Sequence, residues 1–375
     1  MVLCVRKEPS ATTGPVLILG SGLLGASVGI GLTALDVPVR LRDTSPTAEA
    51  LARDVGAGEI DQPEDPEPAL VVVATPPDVT AGVIGSALHM YPNAVVTDVA
   101  SVKGVILDEL RGLADLDLTR YVGGHPMAGR EKTGPAAATG ELFAGRPWVV
   151  CPHEDTDPQA ELAVRHLASD LGASPVVMTP TEHDHAVSLV SHVPQLVSSL
   201  VAARLVEAPE QALGLAGQGL RDLTRIAASD PKLWTAIITG NAEAVREILR
   251  AVRDDLDGLL SALDRGAEDG PLAVGAMHTI AAVMSAGNDG VSRIPGKHGG
   301  RRKRYQEVVV LVPDQPGELG RLFSEIGEIG VNIEDFSMEH SPKQKVGMAA
   351  VSVLPTRAQL LESELTKRGW KVVAK

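Results

Sequence analysis

A continuous apolar run, Val16-Leu17-Ile18-Leu19, leads straight into Gly20-Ser21-Gly22-Leu23-Leu24-Gly25, and an apolar, helix-like stretch follows over residues 26–35. A run that is apolar at successive positions suits a strand buried on both faces. The glycine pattern alone is common. Placed between a strand and a helix it describes a cradle in which backbone N–H groups at the helix N-terminus receive a pyrophosphate. A second strand is expected over residues 37–41, with Asp43 just past it. A carboxylate there accepts from a ribose 2′-hydroxyl and repels a 2′-phosphate, favouring NAD over NADP. Arg42, next to it, is the residue that could instead assist a phosphate. An ordinary tight turn between strand and helix is the alternative.

The pattern then repeats. Residues 59–68, acidic and proline-rich, read as a solvated loop. Residues 70–74 read as a buried strand ending in Thr75-Pro76-Pro77, and residues 79–90 as a helix. Residues 94–97 form the next strand, ending in Asp98-Val99-Ala100-Ser101-Val102-Lys103. Ser101 suits the N-cap of a helix running to Leu113. Its hydroxyl could equally face the cofactor, and the two roles are compatible. A short run, Tyr121-Val122, precedes Gly123-Gly124-His125-Pro126-Met127-Ala128-Gly129. A histidine titrates near neutral pH and can accept a proton in one step and carry none in the next. The glycines around it are expected to let the backbone turn and a ligand approach. Strand carboxyl ends face the ligand in doubly wound sheets, so Thr75, Ser101 and His125 are expected to converge at an active site. Residues 130–134 read as a loop. Residues 147–151 and 176–178 read as closing strands, with a helix between them capped by Asp157 and started by Pro158.

From Thr181 the apolar period becomes helical. Thr181 is expected to cap a helix holding Glu182, His183, Asp184 and His185, with His192 two turns on. His-x-His on a helix does not place both rings on one face, which disfavours a metal site. Pro194 should kink this helix. Polar groups beside a kink often border a pocket, so His192 and Gln195 are candidates to line one. Arg221 and Arg225 are spaced to share a helix face, and the planar fork of Arg225 is suited to a substrate carboxylate. Trp234 lies one turn into a helix begun by Asp230-Pro231. Residues 241–265 form a long amphipathic helix, and residues 270–286 add another. Such stripes commonly bury against a second copy, so a homodimer is expected.

The composition excludes several classes. The formal charge of −14 argues against nucleic acid and against an anionic membrane surface. Cys4 and Cys151 supply neither a disulfide framework nor a metal spacing, which fits a reducing cytoplasm. Residues 1–14 lack the apolar core of a signal peptide, and no stretch reads as a membrane span. A soluble, cytoplasmic protein is expected.

Residues 285–304, rich in glycine and closed by Arg301-Arg302-Lys303-Arg304, read as a linker whose basic cluster is solvated. Beyond it the pattern is a strand over 308–312, the turn Pro313-Asp314-Gln315-Pro316-Gly317, a helix over 318–329, and Gly330 as its cap. A strand pair and a helix over 357–368 complete a βαββαβ unit.

Together Gly20–Gly25, Thr97 through Lys103, Gly124 through Gly129, His192-Val193-Pro194 and Arg221 through Trp234 resemble the prephenate dehydrogenase family. Asp314-Gln315-Pro316-Gly317-Glu318-Leu319 and Gly330-Val331-Asn332-Ile333 resemble an ACT regulatory module. The resemblance implies an α/β chain in three parts: a Rossmann-type nucleotide-binding domain (1–179), an all-helical substrate and dimerisation domain (180–287), and, after a linker (288–303), a ferredoxin-like ACT domain (304–375). It implies NAD-dependent oxidative decarboxylation of prephenate to 4-hydroxyphenylpyruvate on the tyrosine route. His125 would be the catalytic proton acceptor, and Ser101 would hydrogen-bond it and the reacting centre. Arg225, His192, Gln195, Trp234 and His183 would bind substrate. Gly20, Ser21, Gly22, Leu23, Leu24, Gly25, Asp43 and Thr75 would hold the cofactor. Tyrosine would act near Asp314, Gly317 and Asn332. Many members carry a second histidine after His-x-Pro where this chain has Gln195, which leaves prephenate and arogenate both open as substrates. Two rivals are weighed. A β-hydroxyacid dehydrogenase would need a lysine over residues 181–205, where there is none. A non-catalytic amino-acid sensor would hold nucleotide without turning it over.

Overall fold

The structure, a computed structural model, describes residues 9–129, 134–270, 273–295, 305–340 and 346–373. It divides into two compact units, residues 1–252 and 253–375.

The first unit is built on an eight-stranded sheet. Its strands are β1 (Val16–Leu19), β2 (Val39–Arg42), β3 (Glu59–Ile60), β4 (Leu70–Val73), β5 (Val95–Asp98), β6 (Tyr121–Pro126), β7 (Pro147–Cys151) and β8 (Ser174–Val177). The order across the sheet is β3-β2-β1-β4-β5-β6-β7-β8. The chain steps outward from β1 in both directions, so the strand order reverses between β1 and β4. That is where a crevice opens beyond the carboxyl ends in a doubly wound sheet. Apolar side chains cover both faces. Val16, Ile18, Leu41, Val72, Val122 and Trp148 pack with Val28, Leu32 and Leu167 on one side. Leu17, Val71, Val73 and Val96 pack with Ile84, Leu88, Ile106 and Leu110 on the other. The continuous apolar runs of the early strands have this two-sided burial as their cause.

Three features differ from the expectation. Glu59 and Ile60, placed in a loop, pair with Arg40 and Leu41 as the edge strand β3. An edge strand needs only one paired side, so a polar sequence does not disclose it. His125 does not follow β6 but lies within it. β6 changes partner midway: Tyr121 and Val122 pair parallel with β5, whereas Gly123 to Pro126 pair antiparallel with β7. The strand therefore continues past the end of β5 and carries His125 out over the carboxyl edge. The glycines before it serve packing rather than turning. A Cβ on Gly124 would stand 2.5 Å from the Asp98 carbonyl oxygen, and one on Gly123 would stand 2.8 Å from Cδ of Lys103.

The helical continuation starts at Thr179, not Thr181. Thr179 and Glu182 form a reciprocal capping box around Pro180 at the first position. The helix Pro180–Val187 runs into a wide turn, Ser188–His192, and on into Val193–Ala203. A wide turn just before Pro194 replaces the simple kink expected, and such turns are frequent at functional sites. Taken through that turn, Pro180–Ala203 is long and apolar enough to cross a bilayer by length and composition, contrary to the sequence reading. One side of it is buried through His183, Asp184, His192, Gln195 and Ser198, while Leu189, Val190 and Leu200 are exposed. The helices Gln218–Thr224 and Pro231–Gly240 follow, and Ile237 joins the core that holds Ile84 and Leu88.

The second unit holds the later part of the helix Ala242–Glu268, the helix Ala276–Arg293 and a four-stranded sheet. Residues 285–293, read as linker, extend the second of these helices, and Arg301–Arg304 lie outside the described residues. Leu256, Leu260 and Leu263 on the first helix, and Met277, Met284 and Val291 on the second, are exposed. The sheet is formed by β9 (Gln306–Pro313), β10 (Asp335–His340), β11 (Val346–Val353) and β12 (Lys371–Val373), in the order β10-β11-β9-β12 with antiparallel pairs throughout. The helices Glu318–Glu328 and Pro355–Lys367 complete a βαββαβ order around a core of Val310, Leu322, Val351 and Leu361.

Candidate active site

A cavity of about 1490 Å³ runs along the carboxyl edge of the first sheet. One end is walled by Gly20, Gly22, Leu23, Leu24, Arg42 and Asp43, and its middle by Thr75 to Pro77 and Val79. The other end holds Ser101, His125, Gly129, Ser191, His192 and Trp234. The three strand ends singled out in the sequence thus open into one space, and Trp234 and His192 face the same space from the helical side.

The first end fits a dinucleotide. Gly20 has φ +106°, and a Cβ there would meet the Ala74 carbonyl oxygen at 2.4 Å. A Cβ on Gly25 would stand 2.0 Å from the Gly20 carbonyl oxygen, whereas Gly22 has nothing within 4 Å. Two glycines close the turn and the third leaves room for a phosphate. The helix Leu23–Thr33 has no side-chain cap and no acidic residue in its first turn, so its N–H groups and dipole are available to an anion. Asp43 accepts from Ser21 N–H at 2.6 Å and from Ser45 N–H at 2.7 Å. Both bonds aim the carboxylate at the glycine turn and leave lone pairs for ribose hydroxyls. Arg42, which could have served a phosphate, is paired with Asp61, accepts nothing, and donates to the Tyr91 hydroxyl at 3.1 Å. Ser21 is fully buried and contributes its N–H rather than its side chain.

At the other end the protons can be placed by chemistry alone. Asp184 accepts from the N–H of Lys103 at 2.9 Å and of Gly104 at 2.7 Å. It thereby caps the helix Gly104–Arg111, the place proposed for Ser101. Asp184 also lies 2.8 Å from His183 Nδ1. A carboxylate with three donors around it is an acceptor, so His183 carries its proton on Nδ1 and a lone pair on Nε2. That Nε2 stands 2.7 Å from Nδ1 of His125. His125 must therefore donate from Nδ1, which leaves Nε2 as a bare lone pair. Burial, then His183, Lys103 and His192, push His125 well below the ordinary histidine pKa. Burial also lowers His183 against the opposing pull of Asp184. For Asp184, burial works upward but the hydrogen bonds from His183 and Gly104 prevail and hold it below its usual value. The result is a neutral base with a fixed tautomer.

A second buried group supports the loop that carries Ser101. Lys103 Nζ pairs with Asp98, which also accepts from the Tyr121 hydroxyl at 2.9 Å and from Ala100 N–H at 2.8 Å. Burial and the neighbouring Asp98 raise Tyr121 well above its ordinary pKa, so it remains a donor. Removing either ion partner would strand the other charge in the interior, at a cost of about 3–5 kcal/mol.

Several expected contacts are rearranged. Among the described residues no hydrogen bond joins Ser101 to His125, whose Nδ1 is committed to His183; Ser101 lines the cavity without it. His183, assigned to substrate, is fully buried behind His125. Gln195 is buried and donates to the Ser229 hydroxyl at 3.0 Å, so it anchors the 225–229 turn and is not part of the cavity wall. Arg225 donates its backbone N–H to the Arg221 carbonyl, so the two stand one helical turn apart as their spacing expects, but Arg225, at the end of that helix, is exposed and outside the cavity wall. Asp314, Gly317 and Asn332 are exposed on turns of the second unit. Residues 130–133 lie outside the described residues. The capping role of Asp184 had no sequence signal beyond its residue type, because Lys103 and Gly104, whose N–H groups it accepts, lie about eighty residues away in the chain.

Comparisons with known proteins agree with this geometry. The family model for the prephenate dehydrogenase nucleotide-binding domain matches residues 33–177, and that for the prephenate dehydrogenase dimerization domain matches residues 179–276. The chain is 37% identical over 358 residues to a probable prephenate dehydrogenase, NovF, of Streptomyces niveus, covering 94% of this chain and 98% of that one. Among solved structures it resembles prephenate dehydrogenase from A. aeolicus in complex with hydroxyphenyl propionate and NAD+, with TM-score 0.64 and 27% identity over 76% of this chain and 99% of that one. It also resembles Synechocystis arogenate dehydrogenase, with TM-score 0.60 and 27% identity over 74% and 99% of the two chains.

Proposed function

The chain belongs to the prephenate dehydrogenase family, an oxidoreductase family, and from that premise we propose that it oxidises prephenate with NAD, releasing CO2 and 4-hydroxyphenylpyruvate. The observation that carries the reading is the bare Nε2 of His125, in the same cavity as the glycine cradle and Asp43.

NAD supplies, when bound, the acceptor for a hydride from the ring carbon that bears the hydroxyl. Gly20, Gly22 and the first turn of Leu23–Thr33 hold its pyrophosphate, Asp43 its ribose, and Thr75 lies along the wall between. His125 Nε2 takes the hydroxyl proton as the carbonyl forms. Passing the Nδ1 proton on to His183 sets the resulting charge against the Asp184 carboxylate, a better place for it than an isolated buried ring. The carboxylate on the opposite ring carbon then leaves as CO2. Its bonding pair enters the ring, and the new aromatic oxygen recovers the proton. His192 and Trp234, edge to face at 6.2 Å, form the substrate end of the wall. The alternative substrate is arogenate, since a solved neighbour is an arogenate dehydrogenase.

The βαββαβ unit over residues 306–373 is read as an ACT module that takes tyrosine as feedback inhibitor near Asp314, Gly317 and Asn332. A homodimer through the helices with exposed leucine and methionine stripes is part of the same reading.

The test is NAD reduction measured with prephenate and arogenate side by side, with and without tyrosine. Turnover of prephenate is expected. No turnover with either substrate sinks the enzymatic reading, and preference for arogenate replaces the substrate.

A further inference from the structure

His192 lines the cavity beside Trp234, and nothing in the proton transfer above uses it. Its Nδ1 lies 3.1 Å from Nδ2 of Asn241, and that same Nδ2 lies 2.7 Å from the backbone carbonyl oxygen of Asp184. A carbonyl oxygen can only accept. The Asn241 atom facing it is therefore the NH2 group, and its second hydrogen is directed at His192. Nδ1 of His192 must then be a lone pair, which puts the ring's one hydrogen on Nε2. Asn241 is buried, as is His192. Protonating His192 would turn Nδ1 into a donor facing a donor, so the contact that sets the tautomer also keeps the ring neutral. Burial acts in the same direction and lowers its pKa to about 4.

We propose that Asn241 is a positioning residue that fixes His192 as a neutral N–H donor toward an oxygen acceptor of the substrate, a carboxylate or carbonyl. The site then holds two uncharged histidines of opposite character. His125, set by Asp184 through His183, presents a lone pair; His192, set by Asn241, presents a hydrogen. The same residue supplies both settings, Asp184 through its side chain in one case and its backbone oxygen in the other. Keeping His192 uncharged also spares His125 a neighbouring positive charge that would make it a weaker base. The substrate part of this inference rests on the dehydrogenase reading, while the tautomer part does not.

The experiment has two arms on the full-length protein. In the first, 15N-histidine-labelled protein is examined by long-range 1H–15N spectroscopy, with His192→Gln used to assign the ring. The wild type is expected to carry the His192 proton on Nε2 at neutral pH, and Asn241→Ala to lose that single tautomer. A proton on Nδ1 in the wild type overturns the proposal, whatever the substrate proves to be. In the second, KM for prephenate is measured in a double-mutant cycle. Asn241→Ala should raise KM about 10-fold in the wild-type background, the loss of one hydrogen bond to a charged or polar acceptor. It should change KM less than about 2-fold in a His192→Gln background, where the glutamine amide brings its own donor. Equal losses in both backgrounds mean that Asn241 only supports the start of its helix, and overturn the positioning role. If neither prephenate nor arogenate is turned over, the dehydrogenase reading fails while the spectroscopic arm still decides the tautomer.

Discussion

His183 Nε2 stands 2.7 Å from His125 Nδ1, and the two rings meet edge to face at 70° with both buried. This contact decides which nitrogen of His125 is basic, and the decision is made by Asp184 one residue further along the helix.

Asp184→Asn should therefore disable the base without touching the cavity wall. Oδ1 of Asp184 accepts from both Lys103 N–H and His183, and Oδ2 accepts from Gly104 N–H. An amide NH2 at either position faces a donor. The expected result is a fall in kcat of about 10² to 10⁴ with NAD affinity kept, the scale seen when a catalytic histidine takes the wrong tautomer. A near-normal kcat would show that the relay does not set His125.

Stability should fall on mild acidification. His125, His183 and His192 all have depressed values in the folded state, His192 at about 4, against about 6.5 unfolded. Below about 6.5 the unfolded chain binds protons that the native state refuses. Each such histidine removes about 1.4 kcal/mol per pH unit between its unfolded and folded values. Asp184, lowered below its usual value, acts only at still lower pH. Denaturant midpoints followed from pH 7.5 to 4.5 should decline, and His192→Gln should make the decline shallower. A flat profile counts against neutral buried rings.

Asp61 should govern the choice of dinucleotide. Its side chain holds the guanidinium of Arg42, the residue before Asp43 whose carboxylate is proposed for the ribose, with Tyr91 as a second partner. Asp61→Ala frees Arg42 for a 2′-phosphate, so NADP affinity and kcat/KM should rise about 10-fold relative to NAD. Adding Arg42→Ala should abolish the gain. Direct NADP titration by fluorescence checks the binding, and no gain removes Asp61 from that role.

Gly124→Ala should destabilise by about 1–3 kcal/mol, because the new methyl meets the Asp98 backbone oxygen and the strands cannot both move aside. Gly129→Ala, with nothing within 4 Å, should leave the denaturation midpoint nearly unchanged. Equal effects would mean that the Gly123–Gly124 pair is not a packing requirement.

The local features of the nucleotide end were legible in sequence. A strand buried on both faces, a glycine turn and a helix start within some fifteen residues depend on hydrophobic pattern and backbone freedom, both of which are local. The acceptor Asp43 and the edge position of Thr75, Ser101 and His125 followed from the same rule about strand ends. Where the reading went astray, the deciding neighbour was distant. Glu59–Ile60 became a strand only because Arg40 and Leu41 lie alongside. Arg225 stands one turn beyond Arg221 as its spacing predicts, yet the way that helix packs leaves it outside the cavity wall.

The amino-acid sequence by itself determined that this chain builds a dinucleotide cradle with a histidine at its edge. What that histidine can do was decided by the tertiary structure. Asp184 reaches Lys103 and Gly104 across about eighty residues of chain, Asn241 reaches His192 across about fifty, and Gln195 turns from the cavity to Ser229. A hydrogen bond's polarity is a property of the pair, and a titratable ring has no assigned proton until its partner is in place. Periodicity can bring a residue to a face, but only folding supplies the atom opposite it.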